Sequence, residues 1–451
     1  MESLIGSATV GAANASTGSL RARSDSVQPT NHVNLFVGGG FGQAMPPSLK
    51  DALKVVAACT NPSKTFKIML FPGVHDLPAD SAIDTKCSVE ITNALSTDWD
   101  LRNTFVRSTS AESVWSLCAP SLRLHHLCFD GNIQIRNCLS VSVEHCLFYG
   151  TSLDIRGCLN VTLLENQISG LNLDSTKIRT GSQVNITKSV LLGADTCIKG
   201  AQATFRSCSV QEMKATVQSL IVVQTHFGEE ISRQQMIPRS DDGSIPTSEP
   251  SRGTGPVVEI VGCESGKFSE NVVDGGGTRD GVCLSTSLSF ILNNIHQCVC
   301  GLAVQDGFRG EITHNNITRN VCGMRLPTSA TAVVQMNRVV LNGYSSAKHE
   351  ECHDESVYQK FEASCGILVV APQNESATGS ATTDTATTNT NTPVSRERRD
   401  TQRYSLVISS NVVSRNDCGL VLVCKASGAQ VRHAIIRGAC LHCLRSSFLL
   451  L

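Results

Sequence analysis

Asn293-Asn-Ile-His-Gln-Cys-Val-Cys-Gly-Leu-Ala-Val304 is followed 22 residues later by Asn315-Asn-Ile-Thr-Arg-Asn-Val-Cys-Gly-Met-Arg-Leu326. The shared frame is Asn-x-(Ile/Val), then a Cys-Gly pair, then an alternating apolar run. The Asn-x-(Ile/Val) element recurs at Asn271-Val273, Asn337-Val339 and Asn411-Val413, and the first four anchors, Asn271, Asn293, Asn315 and Asn337, are 22 residues apart. Apolar residues stand three before the anchor (Leu163, Phe268, Phe290, Ile312, Val334, Ile408) and often five before it (Val161, Leu288, Leu406). Period-two alternation in short pieces separated by Gly and Asn predicts strands and turns, because a helical face would need a period of 3.6. A fixed period of this length is the mark of a solenoid.

Looser copies extend the frame backwards to His126, His145, Asn166, Lys188, Cys208 and Thr225, and a last copy begins at His433, 22 after Asn411. About 12 coils result. The piece Leu288-Ser-Phe-Ile-Leu-Asn-Asn-Ile295 also fits the central strand of a leucine-rich repeat. That repeat starts each unit with Leu, whereas the positions eight before the anchors are Cys158, Ser285, Gly307, Ser329 and Arg403. The segment after each Asn reads as another strand. The expected fold is therefore all-β: a single-stranded parallel β-helix with three short strands per coil.

The blocks NNIHQCVCGLAV, NNITRNVCGMRL and NVVSRNDCGLVLV resemble the repeats of the right-handed, pectin-lyase-like β-helix superfamily. The likeness runs from about Val33 to Leu451. That superfamily holds pectin-degrading enzymes, periplasmic copper-site maturation proteins, and non-enzymatic eukaryotic members such as F-box β-helix adaptors and SHC-SH2-domain-binding proteins. The matching positions are scaffold residues, so the resemblance implies a right-handed fold and says little about chemistry.

Before the coils, Ser48-Leu-Lys-Asp51 predicts a capped helix through about Ala58, and Lys67-Ile-Met-Leu-Phe71 with Pro72-Gly73 predicts a strand and its stop. A short helix there covers the open end of a solenoid. Residues 1–32 are Ser/Ala/Thr-rich and read as a disordered leader, or alternatively as a transit peptide. Residues 33–120 read as the N-terminal cap and first coils, and 121–451 as the β-helix proper. The end, Ser446-Ser-Phe-Leu-Leu-Leu451, lacks a polar cap, as in a truncated product or a docking tail.

Lys plus Arg number 38 against 39 acidic residues, which gives no electrostatic ground for nucleic acid or an anionic membrane as partner. No apolar run approaches the length of a transmembrane helix. Aromatics make up 4% of a chain that is 41% hydrophobic, so the core is expected to consist mainly of Val, Ile, Leu and small residues. The 20 cysteines, with no secretory signal, read as reduced and buried thiols in a cytoplasmic protein. The sequons at Asn160, Asn185 and Asn316 then carry little meaning.

The anchors Asn271, Asn293, Asn315, Asn337 and Asn411 are expected to stack about 4.8 Å apart as an amide ladder at a turn where Asn accepts unusual backbone angles. Asn320, Asn342 and Asn416 make a second file, five after their anchors. Cys300, Cys322, Cys365, Cys418 and Cys440 make a third, read as small buried residues before a Gly. Cys298-Val-Cys300 and Cys440-Leu-His-Cys443 are weak metal signals, and neither a metal nor a cofactor is expected. Carbohydrate-active β-helices line up carboxylates on one outward strand face. Here Asp274, Arg279 and Asp280 share one Gly-rich turn, with His296, His314 and Arg319 nearby, and no carboxylate pair repeats at rung spacing. The ordered NTD, DD, GHG and RIK series of a polygalacturonase is missing, and coils 271 to 337 contain no Trp or Tyr for sugar stacking.

Insertions carry most of the functional signal. Anchor to next strand normally takes eight residues; from Asn337 to Gly366 it takes 29, and from Thr225 to Val257 it takes 32. The inserted loops 228–254 and 344–364 should leave one edge four coils apart, about 19 Å along the axis. A third insertion, 371–403, has a Ser/Thr/Asn/Ala composition that cannot bury a core and reads as disordered. Asp274, His296, Arg319, Tyr344, His349 and Glu351 are the binding candidates of this edge. The expected function is a non-enzymatic scaffold for a protein partner; the alternative is a polysaccharide-binding or polysaccharide-cleaving protein with Asp274, Arg279 and Asp280 as its catalytic group.

Overall fold

The computed structural model describes residues 31–38, 46, 48–77, 82–95, 103–110, 113–178, 182–193, 196–228, 255–327, 329–343, 365–370, 406–414, 416, 418–423 and 442–443. Short parallel strands dominate it. Each coil of the best-formed region has three, as in Ser287–Ile291, Asn294–His296 and Cys300–Val304. The first strands of successive coils form one 14-stranded parallel sheet from His32–Val37 to Val407–Ser409. Second and third strands share a 25-stranded sheet. They join because Leu147–Arg156 runs through the corner between them as one ten-residue strand, with a register shift between Phe148 and Ser152. The protein is a parallel β-helix.

Register follows the repeat. Phe268, Phe290, Ile312, Val334 and Ile408 are successive partners in the first sheet, so the apolar position three before each anchor forms one inward column. Val273, Ile295, Ile317, Val339 and Val413 do the same in the second. Aliphatic residues fill most of the core, as the composition implies. The few aromatics are concentrated in it: Phe227, Phe268 and Phe290 stack with centroids 5.7 and 5.1 Å apart, and Phe129 stacks on Phe148 at 4.9 Å. Offset ring pairs add to simple burial.

The first sheet has more strands than the anchors indicate. His32–Val37, Thr65–Leu70 and Ser88–Asn93 precede the first anchor and carry no Asn corner, so the Asn period gives no sign of them. The coil expected at His433 lies outside the described residues. His32 belongs to a strand, one residue inside the stretch read as a leader; residues 1–30 are also outside the described set.

Backbone angles correct the expected corner. The left-handed residue is the one before the Asn, not the Asn: Glu270, Leu292, His314, Met336 and Ser410 have φ of 54–59°. The same conformation falls on His126, His145, Glu165, Lys188, Ser207 and Gln224. His126, His145 and Lys188 are therefore corner residues, and the true anchor positions of those coils are Leu127, Cys146 and Ser189. Three early anchors were placed one residue too soon because a corner open to many side chains has no sequence mark.

The helix Leu49–Ala57 caps the N-terminal end. Ser48 is its N-cap, accepting from the Asp51 backbone N–H at 3.2 Å while its hydroxyl donates to the Asp51 carboxylate at 2.6 Å. Leu49, Ala52, Leu53 and Val56 are buried against the strands of the first coils. Among the described residues no helix is long and apolar enough to cross a membrane.

Candidate functional site

The Asn files are buried and saturated. Each anchor donates its backbone N–H and its Nδ2 to Oδ1 of the next: Asn271 to Asn293, Asn293 to Asn315, Asn315 to Asn337 and Asn337 to Asn411, all at 2.9–3.1 Å. The second Nδ2 hydrogen goes to a carbonyl of the preceding coil, such as Phe290 O from Asn315 at 2.9 Å. At Asn293, Asn315 and Asn337 every amide hydrogen and both oxygen lone pairs are thus occupied. Asn320, Asn342 and Asn416 repeat the device at the next corner. These residues hold coils together and present nothing to a ligand.

The edge between second and third strands is where the long loops leave. One loop runs between His226–Gly228 and Val258–Val261, the other between Arg338–Val340 and Cys365–Val370. Their second strands lie four pairings apart, through Val272–Asp274, Asn294–His296 and Asn316–Thr318. The three coils between them make their turns in a few residues. The loops themselves, with Tyr344, His349 and Glu351, lie outside the described residues, as does 371–403. At Gly228 an added Cβ would collide with the Asp274 carbonyl oxygen, so the first loop can start only at a glycine.

Asp274, His296 and Thr318 form one column of this edge; Arg319 follows Thr318 at an exposed left-handed corner, and His314 is exposed at the corner before. Asp274 is largely buried and its Oδ1 accepts the Gly276 N–H at 3.0 Å, with His296 Nδ1 at 3.8 Å. Arg279 is buried too. It pairs with Glu212 at 2.9 Å and donates to Gly255 O and Pro256 O, clamping the return of the first loop. Asp280 accepts the Cys300 N–H at 3.0 Å. Asp274, Arg279 and Asp280 therefore each hold backbone, of the turn, of the loop base and of the next coil's third strand respectively.

The fifteen cysteines from Cys59 to Cys365 whose side chains are described are free thiols. Cys300, Cys322 and Cys365 stack in a small outer cluster with Leu368, and Cys322 Sγ lies 3.4 Å from Cys365 Sγ. Cys298 points into the main core instead, so the Cys298-Val-Cys300 thiols belong to two clusters and do not converge. Burial pushes the Cys298 and Cys146 thiols up, the latter to about 12. Cys440 lies outside the described residues.

A group that the sequence reading missed sits at the end of the fourth strand of the first sheet. His125 ends the first strand Ser121–His125, His126 is the corner after it, and His145 is the equivalent corner of the next coil. One ring nitrogen from each can be chosen so that all three lie within 4.8 Å of one another. His126 stacks on His145 at 4.8 Å with the rings 9° from parallel, and His125 meets His126 edge-on at 4.1 Å. Glu144 Oε2 is 3.4 Å from His125 Nε2, and Glu165 Oε2 is 3.2 Å from His145 Nδ1. The signal was present as a His-His pair and a third His 19 residues on, near the rung period. Reading His126 and His145 as rung anchors absorbed it.

Comparison of the chain with protein-family models, curated proteins and solved structures gives no match.

Proposed function

We propose that this β-helix is a non-enzymatic scaffold that holds a protein partner across the edge between its two long loops. The observation that carries this reading is topological. Two insertions leave the same edge four coils apart, while the coils between them turn within the short stretches 275–281, 297–299 and 319–321. Loops on a rigid support are the usual carriers of recognition. The strip between them offers His296, Asn294, Asn316, Arg319 and Arg338, partly or fully exposed. The resemblance of the coil blocks to non-enzymatic β-helix adaptors supports the same reading, as does the structural engagement of Asp274, Arg279 and Asp280.

The test pairs two measurements. Affinity capture with mass spectrometry is run on the wild type and on variants in which 229–254 or 344–364 is cut to the normal turn length. Capture lost in both variants, with the melting temperature kept, is the expected result, since both insertions lie outside the repeat. Undiminished capture in both removes the proposed surface. A panel of polysaccharides is assayed in parallel, and a cleavage activity that disappears in Asp274→Asn replaces the scaffold reading.

A further inference from the structure

We propose that His125, His126 and His145 bind one divalent metal ion of the zinc class, with Glu144 and Glu165 orienting the outer imidazoles and a fourth coordination position left to solvent. The site is far along the axis from the loop-bearing edge and does not depend on the scaffold reading.

Imidazole nitrogen is a preferred donor for Zn²⁺ and its late first-row neighbours. Three histidines with an open fourth position are a common tetrahedral arrangement. Bonds of 2.0–2.1 Å in a tetrahedron place ligand nitrogens about 3.4 Å apart. The three nitrogens here are within 4.8 Å before any ion draws them together. Closing that difference requires the stacked rings of His126 and His145 to turn so that their in-plane lone pairs converge, and all three side chains are partly exposed.

The carboxylates decide the orientation. A ligating histidine normally gives its other ring N–H to a carboxylate or carbonyl, which fixes tautomer and ring direction. Glu144 faces Nε2 of His125, leaving Nδ1 for the ion; Glu165 faces Nδ1 of His145, leaving Nε2. Neither carboxylate adds uncompensated charge, because Arg123 pairs with Glu144 and Lys188 with Glu165. Ring stacking of His126 on His145 is by itself what two aromatic residues on equivalent corners would show. The carboxylates, placed against opposite nitrogens of the two outer rings, are what stacking does not require.

The experiment uses the full chain freed of metal with a chelator, then titrated with Co²⁺ and competed with Zn²⁺. One ion per chain is expected, with tetrahedral cobalt absorption and no thiolate charge-transfer band, which separates this site from the 20 cysteines. Asn tolerates the left-handed angles of 56° and 52° at His126 and His145. The double variant His126→Asn, His145→Asn should therefore keep its far-UV spectrum and lose affinity by more than about a hundredfold. Glu165→Gln should lose about ten- to a hundredfold. No stoichiometric binding, a thiolate band, or unchanged affinity in the double variant overturns the proposal. If that variant does not fold, acylation of wild-type histidines, mapped by mass spectrometry, decides: zinc must slow the reaction at 125, 126 and 145, and equal rates with and without zinc sink the site.

Discussion

Asn337 and Asn411 are 74 residues apart in the chain, yet Asn337 gives both its backbone N–H and its Nδ2 to Asn411 Oδ1 at 2.9 Å, as if one coil of 22 separated them. Two insertions lie between them and neither disturbs the register: Val339 still pairs with Val413 and Val334 with Ile408. The ladder, not the spacing along the chain, sets which coils are neighbours. Asn315→Ala and Asn337→Ala each strip two buried donors of the preceding Asn of their acceptor. Each should destabilise the fold by about 2–4 kcal/mol, read by urea unfolding. The outward Asn316, whose amide makes one bond to Asn294, should cost less than about 1 kcal/mol when replaced by Ala. Equal losses at Asn315 and Asn316 would show that the buried file is not special.

Leu292 is 55% exposed and holds φ of 59°, a conformation that opposes its side chain without any burial in return. A left-handed L-residue costs about 1–2 kcal/mol, less for Asn. Leu292→Asn should therefore raise stability by on the order of 1 kcal/mol, the reverse of the usual effect of removing a leucine. Met336, 53% exposed with φ of 54°, is the control position and should respond in the same direction.

Arg279→Ala takes the guanidinium from Glu212 and from the carbonyls of Gly255 and Pro256. A loss of about 2–4 kcal/mol is expected, because a largely buried ion pair loses one member. Hydrogen exchange should rise first at residues 255–258. A stable variant with unchanged exchange there would free Arg279 from its structural role.

Burial raises the Cys146 thiol from 9.0 to about 12 and, less completely, Cys118 to about 11. In the unfolded chain both ionise near 9, so the unfolded state loses protons first as pH rises. The stability these thiols contribute is full below pH 9 and lost progressively up to the folded values. Each fully buried thiol adds a slope of about 1.4 kcal/mol per pH unit in that window. Denaturant midpoints should be flat from pH 7 to 8.5 and fall above 9. Cys146→Ala should flatten the fall, and thiol reagents at pH 8 should label the native protein slowly.

The coil region from Asn271 onward was legible because its determinants are side chains of fixed identity: an amide that completes four hydrogen bonds has no substitute of the same shape. The N-terminal coils were less so. Their corners are occupied by His126, His145, Lys188, Ser207 and Gln224, whose shared property is a backbone angle. Leu127 and Cys146 behind them are merely apolar, so a search for polar anchors slipped by one residue. The loop edge could be located by counting, since an insertion in a strict period is conspicuous. The histidine group could not, because its members are adjacent only once the coils close, and because two of them had already been given a place in the repeat.

The direction of the Asn bonds has a consequence for synthesis. Each coil's Asn supplies an acceptor to the coil made before it and leaves its own N–H waiting for the coil made after it. The rim left by each coil thus holds unsatisfied Asn donors beside main-chain acceptors such as Asn293 O, which takes the Asn316 N–H, and both are filled as the next 22 residues arrive, which at ribosomal rates of 5–20 residues per second takes about 1–4 s. The chain can be wound coil by coil from the helix-capped end as it emerges, and a long loop delays the next coil without changing the seat that awaits it.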